Sequence, residues 1–361
     1  MCSSDLATPA KAGYAACSSI RHDTLQGGKP VTAAVTPSGF GPADIQSAYK
    51  LPTTANDPPN GPLVAIVDAY DLATAENDLG TYRSQFGLPP CTTANGCFKK
   101  VGQTGSSQPP RRDAGWGQEI ALDLDMVSAA CPNCRILLVE AKSASFSNLA
   151  TGVATAQRLG AKAISNSYGG SDYTNMSQYE NAAAAGVAVT ASTGDSGYGV
   201  QSPASFSHVV AVGGTSLSRD ASARGWTESA WSGAGSGCGS YNANPGWQTA
   251  TSCGKKANAD VSAVANPNTG VAVYDSTSYQ GYVGWMVFGG TSASSPIIAS
   301  LYAQAGDFGQ YAGQFTWNHT ASLNDVTSGT NGTCSQLVWC HAGGGWDGPT
   351  GLGTPNGLGA F

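Results

Sequence analysis

Charged side chains are scarce in this sequence. Asp, Glu, Lys and Arg make up 11% of its 361 residues, against roughly a quarter in ordinary globular proteins. The 17 basic residues are outnumbered by 23 acidic ones, giving a formal net charge of −6. That balance argues against a nucleic-acid partner. A surface so poor in titrating groups changes its charge little as pH falls, which suits an acidic exterior. Long apolar runs are missing too. No stretch reaches the roughly 18 residues needed to cross a bilayer, so no membrane partner is expected. Histidine is nearly absent, with only His22, His208, His319 and His341.

What is present is a hydrophobic content of 41% with 48 Gly, enough for a sizeable core in one large domain or two ordinary ones. Ten cysteines occur, eight of them in close pairs: Cys91/Cys97, Cys131/Cys134, Cys238/Cys253 and Cys334/Cys340. Zinc is the rival reading for Cys131-Pro-Asn-Cys134, but no second CxxC and no paired histidines accompany it. A redox motif of thioredoxin type would follow a strand and precede a helix; this one has the opposite order. Four local disulfides and an oxidising compartment are therefore expected. Met1–Leu6 back-translates into the end of a widely used sequencing adapter. The natural chain is expected to enter near Ala7, with its true start and any signal peptide missing and Cys17 deprived of its partner.

Residues 1–37 are polar, lack a clear period and read as an N-terminal extension. A helical pattern follows Pro42, and Leu63–Val67 is too short and β-branched to be anything but a buried strand. From there strands and helices alternate. Helices are expected over 72–86, 116–130, 146–159 and 177–185, and strands over 135–139, 163–167, 187–191 and 209–212. Such alternation predicts right-handed crossovers and a mostly parallel sheet covered on both faces. Residues 223–280 are rich in Gly, Ser, Asn and Trp and read as surface loops and hairpins.

In such sheets ligands sit beyond the carboxyl ends of the strands, so the chemistry is sought there. Trp285–Phe288 leads into Gly289-Gly290-Thr291-Ser292-Ala293-Ser294-Ser295-Pro296, a strand, a glycine turn and a helix beginning near Ser292. A hydroxyl at a helix mouth lies among free N–H groups that favour developing negative charge; it also reads as an ordinary N-cap. A serine nucleophile usually takes a histidine base, yet His22 lies in the extension, His208 opens a strand, and His319 and His341 follow the nucleophile in loops. The helix Gly115–Asp123 instead carries Glu119 and Asp123 four residues apart, on one face. Exposed, the pair is a solvated face. Buried among Ile120, Leu122, Met126 and Val127, it would share a proton and act as a tunable base. Asp195, between Gly194 and Gly197, reads as a turn residue or as part of the site. Asp68 ends the Leu63–Val67 strand.

Taken together these stretches resemble the sedolisin family, the serine-carboxyl peptidases built on a subtilisin-like fold. The resemblance rests on the Gly-Thr-Ser-Ala-x-x-Pro turn, the Glu-x-x-x-Asp helix and Ser192-Thr193-Gly194-Asp195, in order, and covers about residues 38–361. It implies an α/β fold with a mostly parallel sheet flanked by helices, and a peptidase domain over 38–361 after the extension. It implies Ser292 as nucleophile, Glu119 as general base, Asp123 as its partner, and a neutral Asp195 as hydrogen-bond donor to the oxyanion. Asp68 becomes an auxiliary acid, and Ser167-Tyr168-Gly169 the strand that pairs with substrate. Asp325-Val326 and Gly343-Gly344-Gly345-Trp346-Asp347 resemble the family's calcium loop. That assigns one structural Ca²⁺ to the Asp325 and Asp347 carboxylates and the Val326, Gly343 and Gly345 carbonyls. About 37 residues precede the mature-like start, where the family typically carries a large folded propeptide, so the activation route is left open. The expected function is a secreted, monomeric endopeptidase acting on proteins or peptides, with an optimum at roughly pH 3–5. The rivals are a catalytically silent binding protein on the same scaffold and an ester hydrolase, though no Gly-x-Ser-x-Gly elbow surrounds Ser292.

Overall fold

The computed structural model describes residues 11–23, 25–26, 29–30, 32–53, 60–182 and 185–361. The reading of Met1–Leu6 as foreign falls outside them. Two short strands come first, β1 (Ala16–Cys17) and β2 (Ile20–His22), then α1 (Pro42–Tyr49). The body continues with β3 (Leu63–Ala69), α2 (Ala75–Gln85), β4 (Phe98–Gly102), α3 (Ala114–Ala130), β5 (Arg135–Ala141), α4 (Phe146–Arg158), β6 (Ala163–Asn166) and β7 (Tyr168–Ser171). Next among its principal elements come β8 (Ala188–Ser192), β9 (Gln201–Ser202), β10 (Val210–Arg219), β11 (Trp226–Ala230), β12 (Val261–Val264), β13 (Val271–Tyr279), β14 (Tyr282–Gly289) and α5 (Thr291–Ala305), followed by a short helix over Ala312–Asn318.

The central sheet has eight strands in the order β11-β10-β8-β6-β3-β5-β4, with β12 also paired to β10. Every pairing in it is parallel except β10 with β11. The expected doubly covered α/β sheet is what forms. One apolar cluster joins the sheet to α1, α3 and α5, and a second joins its other face to α4. β3 and β5 are buried beyond their first residue, as strands covered on both faces must be.

Two helices run through the interior rather than over it. From Gly115 to Ala130 every residue of α3 is buried, and so is every residue of α5 from Thr291 to Ala303. Helices apolar all round belong inside. Asp113 caps α3, its Oδ1 accepting from the Gly115 and Trp116 N–H groups at 3.1 Å each. Pro296, expected in the first turn, is the sixth residue of α5 and lies inside it. Its missing N–H frees the Ser292 carbonyl, which accepts from the Ser167 hydroxyl at 3.4 Å instead.

The four expected disulfides are present: Cys91–Cys97, Cys131–Cys134, Cys238–Cys253 and Cys334–Cys340. Cys17, expected to lack a partner, is itself disulfide-bonded. Three local expectations are corrected. The stretch 98–102, which lies between the expected helices over 72–86 and 116–130 and belongs to no expected element, is the edge strand β4. Residues 261–264, read as surface hairpin, are β12 inside the central sheet. The helix expected over 177–185 is a 3₁₀ turn over Met176–Ala182.

Because α5 is enclosed by sheet and α3, its apolar side chains cannot be trimmed without leaving a void. Ile298→Ala should destabilise the fold by about 2–5 kcal/mol, read as a lower denaturant midpoint with unchanged slope. A midpoint equal to that of the wild type would show that α5 is not a core element.

Candidate active site

β14 and α5 meet at Gly290, whose φ of +96° favours glycine. A Cβ there would fall 2.5 Å from Asp195 Oδ2 and onto the Ser18 carbonyl oxygen. The turn therefore exists to let three backbones and a carboxyl converge. Two residues on, Ser292 is fully buried. Its Oγ donates to the Ser167 carbonyl at 3.1 Å, and its N–H donates to the Ser18 carbonyl at 2.8 Å.

Three carboxyls gather beside it. Glu119 and Asp123 come from α3, and Asp68 from the carboxyl-terminal half of β3; all three have no exposure. Among the described residues none of their oxygens, two on each, has a partner at full hydrogen-bond geometry, although serine hydroxyls lie close to Glu119 and Asp123. Burial holds all three carboxyls well above the usual range, Asp68 at about 8. For Glu119 the next cause is the Asp68 charge, opposed by the Ser19 and Ser292 hydroxyls. Asp123 feels Asp68, then Glu119, and is eased by Ser167. The serine hydroxyls thus lie near enough to act on these carboxyls, yet Ser292 Oγ gives its hydrogen bond to Ser167. A dry group of three acids is tolerable only when it holds protons.

Asp195 follows β8 on the other side of Ser292. Its Oδ1 accepts from the Thr291 N–H at 2.8 Å and the Thr291 hydroxyl at 3.0 Å, while buried Oδ2 has no partner. Burial raises it to about 7, against the pull of the two Thr291 bonds. With Oδ1 occupied as an acceptor, the proton belongs on Oδ2.

The segment from Tyr14 to His22 lies across this cluster, which sequence reading left as featureless extension. β1 pairs antiparallel with β7, Ala16 opposite Gly169 and Cys17 opposite Tyr168, and the Ser18 N–H reaches the Ser167 carbonyl at 3.4 Å. β2 pairs antiparallel with β14, Ile20 opposite Gly289. Ser18 and Ser19 are both buried. An extended peptide thus enters along Ser167-Tyr168-Gly169, sets one carbonyl on the Ser292 N–H, and leaves along β14. Its alternation is only three residues long on either side of Ser18-Ser19, too short for a period to show.

The four histidines stand apart from this chemistry. His22 belongs to β2, His208 stacks on Tyr311, and His319 stacks on Phe315. Among the described residues no histidine hydrogen-bonds Ser292.

Asp325 and Asp347 converge on one glycine loop: Asp325 Oδ2 accepts from the Gly345 N–H and Asp347 Oδ2 from the Gly343 N–H. Asp347 Oδ1 takes the Thr350 N–H and hydroxyl at 2.9 Å each. Val326, beside Asp325, is buried. No described salt bridge reaches either carboxylate, and no three His, Cys, Asp or Glu side chains gather as a metal centre among the described residues. Two carboxylates on one glycine loop, held by N–H and hydroxyl donors and by no basic side chain in a described salt bridge, are oxygen donors of the kind a hard cation takes.

A description of the subtilase family matches residues 113–335, well over half the chain. The chain belongs to that family, and within it to the sedolisin group. Kumamolisin of Bacillus sp. (strain MN-32) is 28% identical over 372 residues, spanning 90% of this chain and 63% of the relative. Sedolisin of Pseudomonas sp. (strain 101) is 29% identical over 374 residues, spanning 89% of this chain and 60% of the relative. The chain therefore covers about three-fifths of the length of these relatives. The solved structure of Pseudomonas sedolisin, a serine-carboxyl proteinase complexed with two molecules of pseudo-iodotyrostatin, matches with a TM-score of 0.73 at 24% identity. It spans 89% of this chain and 96% of that one, which shows the shared fold.

The buried acids make stability depend on pH in a definite direction. Asp68 and Asp195 titrate in the folded state at about 8 and about 7, against about 3.9 for an unfolded Asp. Between those values the folded chain binds more protons, so stability is full below pH 4 as far as these groups go and is lost as pH rises toward 8. The melting temperature should fall from pH 5 to pH 8, and Asp68→Asn should flatten the slope. A melting temperature that climbs over that interval would contradict the protonated cluster.

Proposed function

We propose that the protein is a serine-carboxyl endopeptidase acting in acid on proteins or peptides. One observation carries the reading: a peptide carbonyl, that of Ser18, sits on the Ser292 N–H at 2.8 Å in a strand paired to Ser167–Gly169, with buried carboxyls on either side. Ser292 Oγ attacks that carbonyl carbon while its proton passes to ionised Glu119, which Asp123 supports by keeping the remaining proton of the pair. Asp68 lies in the same proton network. The negative oxygen that forms is held by the Ser292 N–H and the Asp195 Oδ2–H. As the C–N bond breaks, Glu119 returns the proton to the leaving amine of Ser19. Water then repeats the sequence on the acyl-enzyme, releasing the acid and restoring Ser292. On this reading Tyr14–His22 is the first substrate, and the Ser18–Ser19 bond is cut within the molecule. A silent binding protein has no use for three protonated acids beside a serine.

The base needs its pair singly ionised and the oxyanion donor needs Asp195 neutral, so activity forms a bell. Burial brings Asp195 to about 7, and the alkaline limb moves toward neutrality from the pH 3–5 region expected from sequence. The disulfides support an oxidising, extracellular setting, and no described helix is long and apolar enough to cross a membrane. Asp325, Asp347 and the carbonyls of Val326, Gly343 and Gly345 would hold one Ca²⁺, whose chemistry there is structural: it offsets two like charges.

Held at pH 4, the full chain should yield a new N-terminus at Ser19 and digest an unfolded protein; Ser292→Ala should stay intact while melting like the wild type. Asp195→Asn, which keeps a donor that cannot ionise, should retain part of the activity and push the alkaline limb upward. A cut that persists in Ser292→Ala, or a wild-type optimum above pH 7, would refute the mechanism.

Excess chelator should lower the melting temperature, since a ligand bound only by the folded state stabilises it by mass action. Asp347→Ala should reproduce the loss and cancel the chelator's effect. Identical melting curves with and without chelator would dismiss the cation.

A further inference from the structure

Gln201 belongs to none of the motifs above, yet it stands where the residue preceding the cut bond must place its side chain. β9 pairs antiparallel with β7, Ser171 opposite Gln201. From there the Gln201 side chain reaches back between two glycines. A Cβ at Gly169 would run into its Oε1, and a Cβ at Gly194 would lie 2.8 Å from its Cδ and 3.0 Å from its Nε2. Both positions must be glycine for the carboxamide to fit. Gly194 also has a φ of +104°. These two glycines belong to the walls of one slot: Gly169 to the strand that pairs with the bound segment, Gly194 to the turn that carries Asp195.

The register of the bound segment says what enters that slot. Ala16 lies opposite Gly169, so the two project to the same face of the pair, and Ser18, two residues on, projects there as well. Ser18 supplies the carbonyl held by Ser292. Its side chain therefore points toward the face on which the Gln201 carboxamide lies, and Ser18 is 3% exposed in that position. Serine fits because it adds a single oxygen beyond Cβ. A leucine or phenylalanine there would need the volume that the carboxamide takes up.

We propose that Gln201 is the specificity-determining residue of the cleft, closing its slot so that the protein cuts after small residues such as Ser, Ala and Gly. This rests on the peptidase reading and adds the substrate class to it. A slot closed by a side chain excludes larger groups sterically. Each methylene admitted or refused at such a site changes kcat/KM by about 10–200-fold.

The full-length protein, allowed to process itself at pH 4, is given a library of unstructured peptides with every residue represented before the cut, and the products are mapped by mass spectrometry. In the wild type, cuts after Ser, Ala or Gly should exceed cuts after Leu or Phe by at least about 10-fold. Gln201→Ala should raise the Leu and Phe cuts relative to Ser by at least about 10-fold, and Gln201→Asn should shift the ratio the same way by less. A ratio measured within one protein is insensitive to how much of it is folded, and Gln201→Asn decides the matter where Gln201→Ala does not fold. The molecule's own bond gives a second readout. Ser18→Phe should slow the appearance of the Ser19 N-terminus, and adding Gln201→Ala should restore it. A library profile unchanged by both Gln201 variants, with abundant digestion, would overturn the assignment and leave the peptidase intact. No digestion by the wild type at any pH from 3 to 8 would overturn the peptidase reading, and the slot with it.

Discussion

Three carboxyls shut away from water beside one serine are the constraint on which the rest of this structure turns. Asp68, Glu119 and Asp123 have no exposure and, among the described residues, no partner at full hydrogen-bond geometry, so the fold must supply an environment in which they keep protons. It does so by placing two helices, α3 and α5, wholly inside the molecule and closing the remaining side with a strand of its own chain. A histidine base would tolerate a wetter site. Carboxyls at ordinary pKa values would be ionised at pH 5 and too weakly basic to take a hydroxyl proton; removing them from water raises their basicity. On the peptidase reading proposed above, the burial is itself the activating device.

Asp195 shows the same logic with the opposite sign of use. Thr291 fixes Oδ1 with two hydrogen bonds, and the buried second oxygen, beside Gly290, is left without a partner among the described residues. An amide in this place would donate at every pH. A carboxyl donates only while protonated, so on the proposed mechanism the site carries its own upper pH boundary. The scarcity of surface charge fits that picture. With 11% charged residues, the exterior changes little over the range in which the interior acids titrate, and the pH response is concentrated in the site.

How much of this was legible in the sequence depended on period and on company. The buried strand Leu63–Val67 and the interior helices announce themselves, because an unbroken apolar run has no solvent face. The Glu119/Asp123 pair stayed ambiguous even with its apolar neighbours, and only its company, several motifs in one order, gave it a role. β4 escaped notice because Lys99 and Lys100 break its apolar run at a sheet edge, where Lys100 reaches Asp71 at 2.6 Å. β12 was hidden by brevity inside a glycine- and serine-rich region. The segment across the cleft and Gln201 left no local trace. Ala-Cys-Ser-Ser-Ile is an unremarkable polar stretch until Ser167–Gly169 and β14 take it up, and Gln201 matters only through two glycines distant in sequence. Contacts that arise from tertiary register are invisible to any window of neighbouring residues.

The enclosure of α5 has a consequence for motion. Ser292 stands at the start of a helix packed on the central sheet, so the amides further along α5 share the fate of the whole core and open only when the molecule does. The Ser292 N–H, bonded to the Ser18 carbonyl, opens instead with the segment across the cleft. β1 and β2, by contrast, are held by a few rungs each at the surface of the cleft. Hydrogen exchange across this junction would differ by most of the global unfolding free energy, although the two sides are one hydrogen bond apart. The Ser18 carbonyl is thus where a segment held by few rungs meets the core, and Ser292 stands on the core side of that junction.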